Sequence, residues 1–171
     1  MKKDFVIPIL VMAFICLFMS SALAFVNGIT LPIITAAAAE RAEAAMMEII
    51  PNAEEFVPVE LTEDMPGSIQ EVFRTTNDVG YIFVTSVRGF GGSMTIMTGI
   101  DPDGLVIKTL TLGHSETRGI SDPVFAQEPL YIGKDRNLEG IDVISGATIT
   151  FVAYINGIRD AFEAFDIVRG A

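Results

Sequence analysis

The sequence predicts an α+β fold: an N-terminal transmembrane helix, then a domain in which an antiparallel β-sheet is packed by helices. Three observations predict it. Residues 5–39 include no charged side chain. Between residues 68 and 112, four stretches rich in β-branched and aromatic residues follow one another, two of them joined by a tight-turn tetrapeptide. From about residue 148 to 165, apolar side chains recur at helical spacing.

The first element is "FVIPILVMAFICLFMSSALAFV" (5–26), almost wholly apolar. As a helix it reaches roughly 33 Å at 1.5 Å per residue, enough for a hydrocarbon core of about 30 Å. Pro8 lies near its start, where a missing N–H costs least. Ala22-Leu23-Ala24 resembles a signal-cleavage site, but signal h-regions run only ~7–15 residues, so a retained anchor is expected. Lys2 and Lys3 precede the span, and Arg41 is the first basic residue after it. The positive-inside bias therefore places the N-terminus in the cytoplasm and the rest beyond the cell membrane.

"TAAAAERAEAAMMEII" (35–50) reads as a helix that continues the span or bends out near Gly28 and Pro32, with Pro51-Asn52 stopping it. The expected organisation is a cytoplasmic tip and anchor over 1–27, an exit segment and connecting helix over 28–55, and a folded domain over 56–171. Residues 51–68 are mostly loop, with one short strand at 56–61.

Strands follow at 68–77, 80–89, 93–100 and 105–112. In the second of these, Tyr81, Phe83, Thr85 and Val87 alternate with a second face. "DPDG" (101–104) puts a proline and a glycine where a hairpin turn needs them. Asp101 and Asp103 alone are too few oxygen ligands for a calcium loop. A short helix is expected around residues 123–130. In the closing helix, Phe151, Tyr154, Ile155, Ile158 and Phe162 mark the core face.

Composition excludes several chemistries. From residue 40 onward nine Lys/Arg face twenty-one Asp/Glu, so nucleic-acid binding is disfavoured. The single cysteine, Cys16, lies in the span, and His114 is the only histidine. No metal site is expected, and a domain that handles electrons needs an organic cofactor.

"DVISGATIT" (142–150) carries the most chemistry. Ser145 or Thr148 is placed to cap the following helix, with Gly146 relaxing the chain before it. Alternatively, the helix start offers free N–H groups and a positive dipole end to a phosphate, with Gly146 and Ala147 leaving room. A hydrolase built from Ser145, His114 and Asp142 is disfavoured, because no nucleophile elbow is present. "GFGGS" (89–93) reads as a turn or bulge, or as a place where a flat ring or phosphate approaches backbone.

Four stretches together resemble the FMN-binding domain family, and within it the G subunits of the Rnf ion-translocating electron-transport complex. These are residues 22–56, residues 80–104, "HSETRGISD" (114–122) and "DVISGAT" (142–148). The last matches the family's D-x-x-S/T-G-A-T flavinylation motif at every fixed position. In the third, Arg118 stands for the family's proline and Ile120-Ser121 for Leu-Gly.

The resemblance implies an FMN-binding domain over 56–171 and FMN held by a phosphoester to Thr148. A flavin transferase would make that ester from FAD, recognising Asp142, Ser145, Gly146 and Ala147. The ring is expected near Glu116, Thr117, Gly119 and Ile120. The chain would relay electrons among other subunits of a membrane complex that couples ferredoxin and NAD+ to sodium or proton movement, with no complete active site of its own. Two alternatives remain: the C subunit of a sodium-translocating NADH:quinone reductase, which shares the motif, and a cofactor-free anchored assembly module.

Overall fold

The computed structural model describes residues 2–170, with side chains from Val6 onward. The chain divides into two compact units, residues 1–41 and 42–171. The first is wholly helical where described: α1 runs from Lys2 to Ile49 without a break, through Pro8 and Pro32. The helix thus continues through Gly28 and Pro32. Its side chains from residue 6 to 36 are all exposed, and it is long and apolar enough to cross a membrane. Three of its hydroxyls are turned back onto the helix: Ser21 Oγ donates to Leu17 O at 2.8 Å, Thr30 Oγ1 to Val26 O at 3.0 Å and Thr35 Oγ1 to Pro32 O at 3.0 Å. Back-bonding of this kind satisfies a hydroxyl without needing water.

The second unit is a five-stranded antiparallel meander in the order β1-β2-β3-β4-β5. Its strands are β1 (Phe56–Val59), β2 (Ile69–Thr75), β3 (Tyr81–Arg88), β4 (Ser93–Ile100) and β5 (Val106–His114). Each corresponds to a stretch marked by β-branched and aromatic residues. The "DPDG" tetrapeptide is the β4–β5 turn: Asp101 Oδ1 accepts from the N–H groups of Asp103 (2.9 Å) and Leu105 (2.8 Å), and Gly104 sits at φ +84°. Glycine adopts that conformation without steric cost.

Both faces of the sheet are apolar, and each has its own cover. On one face Phe83, Met94, Ile96 and Ile100 pack beneath α3 (Thr148–Gly170), whose Phe151, Tyr154, Ile158 and Phe162 point inward. Helix and sheet come close at Gly157, where a Cβ would meet Ile96 Cδ1 at 3.1 Å and Thr85 Oγ1 at 3.2 Å. On the other face Ile82, Val84 and Met97 pack against Ala45, Met46, Ile49 and Ile50 at the end of α1. Gly99 makes this contact possible, because a Cβ there would collide with Ile49 Cγ2.

Between β5 and α3 the chain forms a four-residue helix, α2 (Asp122–Phe125), and a 3-10 turn, Glu128–Tyr131. These divide the single short helix expected at 123–130. Glu128 anchors the turn to the sheet, its Oε1 accepting from Thr111 N (2.8 Å), Thr111 Oγ1 (2.7 Å) and Tyr154 OH (3.3 Å). Burial, then the negative charge of Glu128, pushes the Tyr131 phenol up to about 12, and the same two causes raise Tyr154.

Candidate functional site

Among the described residues, no side chain caps the start of α3. Ala147 occupies the N-cap position: its carbonyl accepts from Phe151 N at 2.9 Å. Alanine has no side-chain oxygen to offer the first turn. Among the described residues, neither the Ser145 nor the Thr148 hydroxyl bonds to a backbone N–H of α3. This overturns the capping role expected for them. Ser145 precedes the N-cap by two residues, and Thr148 is already the first helical residue. The N–H groups of Thr148, Ile149 and Thr150 likewise have no partner among the described residues. Such a terminus presents free donors and the positive end of the helix dipole.

This terminus opens on a cleft of about 370 Å³ lined by Phe90, Glu116, Thr117, Ile120, Ser121 and residues 146–150. That volume falls in the range of about 300–1,000 Å³ common for small-molecule sites. Three separate stretches of sequence meet here: the β3–β4 hairpin tip, the segment after β5, and the "SGAT" turn. Gly146 at φ +87° makes the turn that brings Thr148 to the cleft.

Of the residues expected to hold a cofactor, Glu116, Thr117, Ile120, Gly146, Ala147 and Thr148 line the cleft, whereas Asp142, Ser145 and Gly119 do not. Asp142 is exposed, and its carbonyl accepts from Gln127 Nε2 at 3.3 Å. Gly119, at φ +82°, serves the turn into α2, its N–H donating to Asp122 Oδ2 at 2.9 Å. Ser145, His114 and Asp142 form no hydrogen bond with one another among the described residues. Instead His114 stacks on Phe125, centroids 4.4 Å apart, and its Nδ1 accepts from Glu116 N at 3.3 Å.

Glu116 is the organising side chain. It is only 8% exposed, and each carboxylate oxygen has its own donor. Oε2 accepts from Thr150 Oγ1 at 2.7 Å, and Oε1 accepts from Gly91 N at 3.0 Å. A Cβ at Gly89 would collide with Oε1, and one at Gly91 would lie 2.5 Å from Ser115 O. The glycine cluster is therefore a turn, and what approaches its backbone is this chain's own Glu116 segment. The expectation of a ring or phosphate on those glycines is replaced by an internal carboxylate.

Sequence reasoning missed Phe90, Ser121, Ile149 and Thr150 as cleft residues. Thr150 sits in "DVISGATIT" but beyond the part that carries the family signature. Phe90 had one available signal, an aromatic flanked by glycines, "GFGG".

Residues 89–163 match the FMN-binding domain family, a span that includes every cleft residue. The G subunit of the ion-translocating oxidoreductase complex of Methanosarcina acetivorans is 30% identical, over 77% of this chain and 79% of the relative. The G subunit of the Na(+)-translocating ferredoxin:NAD(+) oxidoreductase complex of Acetobacterium woodii is 26% identical, over 84% of this chain and 83% of the relative. The G subunit of the proton-translocating ferredoxin:NAD(+) oxidoreductase complex of Clostridium ljungdahlii is 29% identical, and the match spans about half its length, 56%.

Proposed function

Because this chain belongs to the family of G subunits of ion-translocating, Rnf-type oxidoreductase complexes, we propose that it is a membrane-anchored flavoprotein. In this reading it relays electrons within a ferredoxin:NAD+ oxidoreductase complex coupled to sodium or proton movement. Residues 1–27 form the cytoplasmic tip and anchor, residues 28–55 the exit segment and connecting helix, and residues 56–171 the FMN-binding domain on the extracytoplasmic side. The other partners are the remaining subunits of the complex and, during maturation, a flavin transferase.

One observation carries the proposal: a threonine hydroxyl at the first position of an uncapped helix, opening on a cleft with apolar walls. Thr148 would supply the ester oxygen: its hydroxyl would lose its proton and take the FMN phosphoryl group from FAD, with AMP as the leaving group. The free N–H groups of Thr148, Ile149 and Thr150 would hold the phosphate of such an ester. Ala147 and Gly146 keep bulk away from them. Asp142 and Ser145, outside the cleft, are the parts of the motif a maturing enzyme can reach. Once bound, FMN supplies a ring that takes up and releases electrons singly or in pairs. Phe90, Ile120 and Ile149 provide apolar walls, and Glu116 and Thr117 the polar edge.

The shared motif also fits the C subunit of a sodium-translocating NADH:quinone reductase, but the similar proteins named above are G subunits. The other alternative is a cofactor-free module in which the motif only caps α3; the match to the FMN-binding domain family and the absence of such a cap among the described residues favour the flavoprotein. The test is coexpression with a flavin transferase followed by denaturing electrophoresis. A fluorescent band in the wild type that vanishes in Thr148→Val supports the proposal. A dark wild-type band overturns it.

A further inference from the structure

The β3–β4 tip carries Phe90, 74% exposed. A lone exposed aromatic needs no explanation, but this one sits on a support that is locked in place. Gly89 N donates to Gly92 O at 2.8 Å, closing the tip. Gly91 N donates to Glu116 Oε1, and Glu116 Oε2 accepts from Thr150 Oγ1. Gly89 and Gly91 press so closely on the Glu116 segment that neither position has room for a Cβ. One buried carboxylate thus ties the tip to the first turn of α3, two residues from Thr148. Phe90 and Thr148 line the same cleft, and among the described residues no other aromatic side chain does.

An aromatic ring held in water on a fixed arm, facing an apolar-walled cleft, is a preorganised surface for a flat apolar ligand. Aromatic pairs favour offset-stacked or edge-on contact, and a rigid partner loses little freedom on binding. We propose that Phe90 is the surface on which the flavin ring borne by Thr148 packs, and that Glu116 is the positioning residue that fixes it there. This inference rests on the Thr148 assignment above. It also gives the glycine cluster a purpose: any side chain at Gly89 or Gly91 pushes the arm off Glu116.

The test uses the full chain coexpressed with a flavin transferase and purified in detergent. The variants are Phe90→Ala, Phe90→Leu, Glu116→Ala and Glu116→Gln. Val143→Ala serves as a control, since Val143 is exposed and apolar but lies outside this cleft. Flavin content per chain reports the ester. The induced circular dichroism of the flavin's visible bands and its fluorescence anisotropy report whether the ring is docked.

Phe90→Ala is expected to keep wild-type flavin content while losing at least half of the visible dichroism, with a fall in anisotropy. Phe90→Leu retains an intermediate signal, and Val143→Ala leaves it unchanged. Glu116→Ala behaves like Phe90→Ala although the aromatic is present, and Glu116→Gln, which keeps the shape and one acceptor, recovers most of the signal. If Glu116→Ala does not fold, Phe90→Ala carries the test, because an exposed side chain can be removed without unfolding the domain. A flavin-loaded Phe90→Ala protein with unchanged dichroism and anisotropy overturns this inference alone. A wild-type protein without covalent flavin overturns the Thr148 assignment and this inference with it.

Discussion

Replacing Thr150 by valine removes a single donor from the Glu116 carboxylate and almost nothing else. Valine reproduces the shape of threonine, and the two have similar helix propensity. Thr150 is buried, and its Oγ1 lies 2.7 Å from Glu116 Oε2. Glu116 has no ion pair among the described residues, so the lost bond leaves Oε2 buried without a donor. Hydrogen bonds to charged groups contribute about 1.5–3 kcal/mol, so a loss of about 2 kcal/mol is expected. With a urea slope of about 2 kcal/mol per M, the unfolding midpoint falls by about 1 M. The chain has no tryptophan and three tyrosines, all within the second unit, so the tyrosine bands of near-ultraviolet dichroism follow this unit without interference from the anchor. In a Glu116→Gln background the cost of Thr150→Val should drop to about 0.5 kcal/mol or less, because the charge being satisfied is gone. A loss below about 0.5 kcal/mol in the wild-type background, or an equal loss in both, would refute the role of Glu116 as a clamp.

Gly99→Ala puts a methyl into Ile49 and should cost about 1–3 kcal/mol by overpacking; urea midpoints of Gly99→Ala with and without Ile49→Ala check this, the second change recovering part of the loss. Alkaline stability follows from Tyr131. Its folded-state phenol titrates near 12 against 10.0 for the free group, so between pH 10 and 12 the unfolded chain releases its proton first. Stability is intact below pH 10, falls as pH rises toward 12 by up to about 3 kcal/mol for this group, and falls less in Tyr131→Phe; melting midpoints against pH give the measurement. Lys108 Nζ lies 2.7 Å from Glu48 Oε1 at the surface, and Lys108→Ala should change the unfolding free energy in urea by less than about 1 kcal/mol.

Much of this architecture is local and therefore visible in the sequence. Each strand is a run of β-branched and aromatic residues, and the core face of α3 follows from its 3.6-residue period. The Asp101–Gly104 turn is specified by its own four residues. What escaped is non-local. The partner of Gly89 and Gly91 is Glu116, 25 residues beyond Gly91, so a tight packing joint looked like an ordinary glycine-rich turn. The second face of the sheet takes its cover from Ala45, Met46, Ile49 and Ile50, in a stretch dominated by its alanines and glutamates. Ser145 and Thr148 looked like caps because capping preferences describe residue types, while one residue of register decides which of them sits at the N-cap. Alanine took that place. Thr148 itself was legible from a motif, and Phe90 was not, since one aromatic side chain has no periodicity to reveal it.

The central claim is a covalent bond at one oxygen, and peptide mapping by mass spectrometry addresses it directly. On chain matured with a flavin transferase, the peptide containing residues 142–150 should carry the mass of one FMN less one water, with fragmentation assigning it to Thr148. An unmodified peptide, or the same mass on a different residue, contradicts the account.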